Sequence, residues 1–228
     1  MTEIHNAKIL VVGASGGLGS AISRDLSARG AQLALSGRSP VRLGSVGVES
    51  AVFVPADLRE PGAAEQIVAQ AEEQLGGLHV VVYAAGVVAF EAIGDLDDDD
   101  VDELLLLNYL VPARLTRAAL STLGKGGCVL NISAVVAEQP TMRMAAYSAA
   151  KAALTAFDRV ALLEARPKGI RVIDARPPHT ETGLAGRPIA GNAPMLPPGL
   201  AADAVARRIV DAIAGDETDL PTAAFGQG

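Results

Sequence analysis

The sequence predicts an α/β fold, a doubly wound parallel sheet with helices on both faces. Three observations lead there. Short apolar runs alternate with longer stretches of helical periodicity along the chain. Several of the short runs are rich in Val and Ile with no polar alternation, as in strands covered on both faces. A glycine-rich turn closes the first run and opens the first helical stretch. At 228 residues and 50% apolar composition, the chain is long enough to bury roughly 70–75% of its unfolded surface. No break in composition and no internal repeat divides it, so one domain over 1–228 is expected.

The elements follow in order. Ala7 to Val12 is the first expected strand, followed by the glycine turn and a helix near 17–29. Strands are expected at Gln32 to Ser36, Ala51 to Val54 and Val80 to Tyr83, with a helix near 62–75 between the last two. A long helix is expected at 98–122 and a strand at Cys128 to Ile132. A helix at 144–163, a strand at Ile170 to Asp174 and a last helix at 200–214 complete the alternation. Residues 177–199 break the pattern, with six of the 13 prolines and four glycines. A loop of that length after a strand's C-terminal end reads as a lid over a ligand crevice.

Composition excludes several classes. The single cysteine, Cys128, rules out a disulfide framework and a multi-cysteine zinc site, and its apolar strand makes it a core residue. Three Tyr, four Phe and no Trp argue against a stacking platform for single-stranded nucleic acid. The net charge of −7 has the wrong sign for phosphate backbones or anionic lipid. It is also local: residues 95–103 hold seven of the 26 acids and no base. Those acids precede or open the 98–122 helix, where carboxylates suit the positive end of the dipole. They lack the spacing of a calcium loop. No targeting signal is visible at Met1 to Lys8, and no run approaches the roughly 20 apolar residues of a membrane helix. A cytoplasmic location is the default expectation.

The turn reads Gly13-Ala14-Ser15-Gly16-Gly17-Leu18-Gly19. Glycines admit positive φ and a close phosphate approach, and the helix start adds free N–H groups. Tyr147 and Lys151, four apart in an expected helix, share a face. A free phenol titrates near about 10, and a neighbouring cation brings it toward useful proton transfer. Pro112 has no N–H to give the carbonyl of Asn108 in the long helix.

The spacing of Gly13, Gly17 and Gly19, together with Tyr147 and Lys151, resembles the short-chain dehydrogenase/reductase family. The resemblance runs along most of the chain and implies a Rossmann-like fold. It also implies hydride transfer between a nicotinamide and a carbonyl or secondary alcohol. It makes Tyr147 the general acid/base and Lys151 the holder of the nicotinamide ribose. Asn108 would hold a relay water at its main-chain oxygen. The Gly13 to Gly19 turn would take the pyrophosphate, with Ser15, Gly16, Gly17 and Leu18 against it. Asp57-Leu58 resembles the adenine-contacting step. Ala85-Gly86 matches the end of the turn after the fourth strand, where Tyr83 and Ala84 replace two asparagines. Thr182 and the backbone at Pro177 would meet the nicotinamide amide, with Pro178 where the family has glycine.

At the end of the second strand, Gly37-Arg38-Ser39 puts a cation beside the place where NAD enzymes carry an acid. A guanidinium pairs with a 2′-phosphate, so NADP(H) is expected over NAD(H). Arg42 stands nearby with no direction fixed by sequence.

The family's catalytic serine falls near Ser133-Ala134. The commonest spacing from Tyr147 lands on Ala134. Ser133 is the candidate for the role: either a bulge brings it into the site, or the site lacks a serine hydroxyl. That leaves a carbonyl reductase as the leading expectation, with an NADP(H)-binding sensor or an epimerase or dehydratase on the same fold as alternatives. The substrate is expected to be a small molecule. The resemblance also implies a homodimer or homotetramer packed through the helices near 98–122 and 144–163.

Overall fold

The computed structural model describes residues 1–226. In chain order the elements begin with β1 (Lys8–Val12), α1 (Gly17–Ala28), β2 (Gln32–Gly37), α2 (Pro40–Gly44), β3 (Val52–Pro55) and α3 (Ala63–Leu75). Next come β4 (Val80–Tyr83), β5 (Ala89–Phe90), α4 (Asp98–Leu105), α5 (Val111–Thr122), β6 (Cys128–Ile132) and α6 (Ala145–Ala165). The last are β7 (Arg171–Ala175), β8 (Thr180–Glu181), β9 (Ala190–Gly191), β10 (Leu200–Ala201), α7 (Ala202–Ala214) and β11 (Asp219–Leu220).

Seven strands form one parallel sheet in the order β11-β7-β6-β4-β1-β2-β3. The chain winds outward from β1 in both directions, so the switch of direction lies between β1 and β4, the Rossmann-like arrangement. β1 shows why its residues need no polar alternation. Ile9 and Val11 pack with Ile22, Leu26, Ile209 and Ile213 of α1 and α7. Leu10 and Val12 point to the other face, with Ile67, Val68, Leu115 and Ala161 of α3, α5 and α6. Both faces are dry, and a polar side chain at any of these positions would lose its water without gaining a partner.

The expected helix over 98–122 is interrupted. Between α4 and α5 lies a π-helical turn, Leu106–Leu110, where the Val111 N–H reaches back to the Leu106 carbonyl. Pro112, in the first turn of α5, is the cause visible in sequence: it has no N–H for the regular ladder. The acidic run caps α4 as expected, the Asp97 side chain accepting from Asp99 N at 2.9 Å. Six elements escape the apolar pattern, α2 and the two-residue strands β5, β8, β9, β10 and β11. α2 is a short helix announced only by its cap Ser39 and by Pro40 at its first position. β11 is two residues long, too short to carry a period.

The loop at 177–199 is fastened at two levels. β8 pairs with β10 at its base, Thr180 against Leu200. Further out, β9 pairs with β5, Ala190 against Ala89, and Ile189 N donates to Val88 O at 2.9 Å. Gly191 makes the second fastening possible. Its φ is +67°, and a Cβ there would lie 2.1 Å from the Phe90 carbonyl oxygen.

Candidate active site

A cavity of about 900 Å³ opens where β1, β2, β4, β6 and β7 end. It runs from Arg38, Asp57 and the glycine turn at one end to Tyr147, Lys151 and the 177–199 loop at the other. Open α/β sheets bind ligands along this edge.

The glycine turn is built by close packing as much as by room for a ligand. Gly13 takes φ +80°, and a Cβ there would lie 2.5 Å from Ala85 N. A Cβ on Gly19 would meet Gly13 O at 2.2 Å. A Cβ on Gly17 would lie 2.5 Å from the carbonyl oxygen of Thr182, so the root of the 177–199 loop rests on this turn. α1 starts at Gly17, after an N-cap, Gly16, that has no side chain to cap it, and it has no acid in its first turn. The N–H groups of Gly17, Leu18 and Gly19 therefore open the helix without an internal acceptor, which suits an anion.

At the β2 end the structure adds a direction that sequence did not fix. Arg42 Nη2 donates to the Ser15 carbonyl at 3.1 Å, which brings this guanidinium to the glycine turn beside Arg38. A Cβ on Gly37 would lie 3.2 Å from Ser15 Oγ and 3.3 Å from Leu43, so an acid there would crowd the turn. Ser39 caps α2, accepting from Arg42 N at 3.4 Å. Ser36, which pattern reading passes over, is fully buried on the cavity wall with an unpartnered Oγ. Across the cavity, Asp57 accepts from the backbone and guanidinium of Arg59, which hold its carboxyl below the usual range. Leu58, Ala85 and Gly86 complete this wall.

At the other end Tyr147 and Lys151 face one space, with Lys151 Nζ 5.9 Å from the Tyr147 ring centroid. No described residue bonds the Tyr147 hydroxyl. Burial raises the phenol's pKa and lowers that of the Lys151 ammonium to about 8. Asn108 sits in the π-helical turn. Its Nδ2 donates to Val87 O and Leu104 O, each at 3.0 Å, and its Oδ1 is buried without a partner. The turn is steadied by Tyr83, whose hydroxyl donates to Leu107 O at 2.7 Å. Tyr83 stands where the resemblance expects an asparagine, and only the structure shows what it does instead.

Three successive residues, Asn131 and Ile132 of β6 and Ser133 just beyond it, are clipped to α6, the first of them to α5 as well. Asn131 Nδ2 donates to Asp158 Oδ1 at 2.7 Å and to Thr116 Oγ1 at 3.0 Å. The Ile132 carbonyl accepts from Lys151 Nζ at 2.7 Å. Ser133 Oγ donates to the Lys151 carbonyl at 3.0 Å and accepts from Thr155 Oγ1 at 3.1 Å. Ser133 is among the residues lining the cavity, with its hydroxyl held between the Lys151 carbonyl and Thr155. The next residue, Ala134, is extended (φ −169°) and presents its methyl to the cavity. Asp158 is 2% exposed, and burial raises its pKa to about 8.

Arg176, 3% exposed at the end of β7, pairs with Asp174, with Glu138 and with Asp219, the last at 2.6 Å. This ties the segment after Ala134 to the start of the 177–199 loop, where Val135 N donates to Pro177 O at 3.0 Å. Thr182 lines the cavity above Gly17, and its Oγ1 accepts from Leu184 N at 3.4 Å. His179 faces Glu181 at 3.5 Å.

A family model described as short chain dehydrogenase matches residues 7–190. An uncharacterised oxidoreductase of Methylorubrum extorquens is 32% identical over 199 residues, covering 82% of this chain and 80% of its own. Among solved structures, a short chain dehydrogenase of Burkholderia cenocepacia in complex with NADP superposes with a TM-score of 0.87 at 28% identity, covering 97% of both chains. A dehydrogenase/reductase of Sinorhizobium meliloti gives 0.86 at 27% identity, covering 99% of this chain and 98% of that one.

Proposed function

The chain belongs to the short-chain dehydrogenase family of oxidoreductases, and from that premise we propose that it is an NADP(H)-dependent carbonyl reductase. The observation that carries the reading is the single cavity joining Arg38 and Arg42 to Tyr147 and Lys151. The residues fit a dinucleotide phosphate. An uncapped helix start and a glycine turn offer N–H groups, and Arg38 and Arg42 on the same cavity wall are cations suited to a 2′-phosphate. The crystallised Burkholderia relative carries NADP. When bound, the cofactor supplies or accepts the hydride.

The chain's own residues hold the rest. Gly13 to Gly19, with Ser15, Gly16 and Leu18, cradle the pyrophosphate. Asp57 and Leu58 meet the adenine, Ala85 and Gly86 line the ribose path, and Pro177 and Thr182 meet the nicotinamide amide. Tyr147 gives its proton to the substrate oxygen as charge develops there. Its pKa, raised by burial, keeps it protonated at neutral pH, as a donor must be. Lys151, still mainly charged at pH 7, stabilises the phenolate left behind. Asn108 orders a water at its main-chain oxygen for reprotonation. Ser133 has no part in proton transfer, because its hydroxyl serves the β6–α6 clip. Location in the cytoplasm, and assembly through α5 and α6, belong to the same proposal. The second is supported by Val160 and Leu163 of α6, 54% and 67% exposed.

Fluorescence titration with NADPH, followed by NADPH oxidation with a carbonyl panel, tests the reading. Binding with turnover lost in Tyr147→Phe is expected. Failure to bind NADPH would defeat it. A second reading, an NADP(H) sensor, is favoured by one observation, the methyl of Ala134 in place of a hydroxyl. Tight binding with no turnover on any carbonyl would establish it.

A further inference from the structure

Of the cavity hydroxyls near α6, Tyr147 is bonded to no described residue, while Thr182, whose proton is also free, lies over Gly17 at the glycine turn. Ser133 Oγ donates to the Lys151 carbonyl. The Thr141 hydroxyl donates to Gln139 O at 3.3 Å, and that of Thr180 to Pro178 O at 2.8 Å. Around Tyr147 the cluster is Val88, Phe90, Val136, Met144 and Leu184, with Ala134 packed against it. The cations beside that cluster are engaged with backbone carbonyls, Lys151 Nζ with Ile132 O at 2.7 Å and Arg143 Nη2 with Phe90 O at 3.4 Å. Arg187, on the cavity's outer rim, is exposed and donates through Nε to Gly183 O at 3.0 Å.

A plain ketone reduced here would develop alkoxide charge against a single donor. Each missing donor at such an oxygen costs on the order of 10²–10³ in rate. A carbonyl whose oxygen is already stabilised by an adjacent electron-withdrawing group needs that second donor less. The apolar walls in turn disfavour a carboxylate or phosphate on the reacting half of the molecule. Resting on the reductase reading above, we propose that the substrate class is an uncharged, apolar, activated carbonyl, with a 1,2-diketone as its type. In that step a hydride from NADPH bonds to one carbonyl carbon and its C=O π pair moves to oxygen. The oxygen takes the Tyr147 proton. The products are an α-hydroxy ketone and NADP⁺, and water reprotonates Tyr147.

The test compares 1-phenyl-1,2-propanedione with 1-phenyl-1-propanone, in the wild type and in Ala134→Ser. The wild type should favour the diketone by at least about 10²-fold in kcat/KM, the size of one missing donor. Ala134→Ser should raise the plain ketone by more than about tenfold while moving the diketone by less, so the ratio narrows. Comparable wild-type rates on both ketones would overturn the proposal, even if the variant did not fold. So would a ratio that Ala134→Ser leaves unchanged. Phenylpyruvate, activated but anionic, should be poor, and turnover matching the diketone would overturn the apolar part. NADPH binding with neither ketone reduced would sink the substrate class alone. No NADPH binding would sink the reductase reading itself.

Discussion

Tyr147, Arg38 and Ser133 make three separable demands. Tyr147→Phe removes the proposed proton donor and should abolish NADPH oxidation while leaving NADPH affinity within about twofold, because the ring that packs in the cluster is retained. Arg38→Ala should weaken NADPH by roughly 10–100-fold, the size of a lost charged hydrogen bond, and leave NADH nearly unchanged. Equal losses for the two cofactors in paired titrations would refute a 2′-phosphate contact. Ser133→Ala, by contrast, should act on stability. It unmakes two buried hydrogen bonds worth about 2 kcal/mol together, or about 4–8 °C in Tm for a chain of this size. A fall in kcat at unchanged Tm would mean that the hydroxyl serves the chemistry after all.

Between β6 and α6 the clip couples a strand end to the helix that carries Tyr147 and Lys151. Asp158 gives it a pH dependence. Its folded pKa, about 8, lies above the unfolded carboxyl value because burial disfavours the charge. Its contribution is therefore complete below the unfolded pKa and is lost as pH rises through about 8. Lys151 runs the other way: its folded pKa is lowered to about 8, so its contribution is present above the unfolded ammonium value and is lost as pH falls through about 8. Asp158→Asn keeps the shape and removes the first dependence, so its Tm relative to wild type should climb from pH 5 to pH 9. A flat difference would show that Asp158 does not titrate in that window.

These elements also show what sequence could and could not reveal. The six long strands and the glycine turn were legible because burial on two faces leaves unbroken Val and Ile runs. Tyr147 and Lys151 were legible because four residues make one helical turn. The clip was not, because Asn131, Asp158 and Thr155 meet only after β6 and α6 have docked. Arg42 was ambiguous for the same reason, its direction being set by a carbonyl 27 residues away in the chain. Pro112 marked the break in the long helix without saying that a π turn would fill it.

Seen whole, the molecule puts its binding edge at one end of the sheet and an exposed apolar stripe on α6. If that stripe is the assembly face, Leu163→Arg should lower the mass seen by light scattering without lowering NADPH affinity. An unchanged mass would place any assembly elsewhere. Bound NADPH at about 100 times its Kd should stabilise the fold by about 2.7 kcal/mol, readable as a rise in Tm.

The two short pairings of the 177–199 loop, β8 with β10 and β5 with β9, divide it into two closed bights, 182–189 and 192–199. Each bight has both ends held against the body of the protein, so its length is nearly decoupled from the rest of the chain. Lengthening a closed loop costs only about 0.6 kcal/mol per doubling. The first bight carries Thr182 over the glycine turn and Leu184 beside Tyr147, so a change of its sequence reaches the site directly, while a change of length within either bight is absorbed between its fastenings.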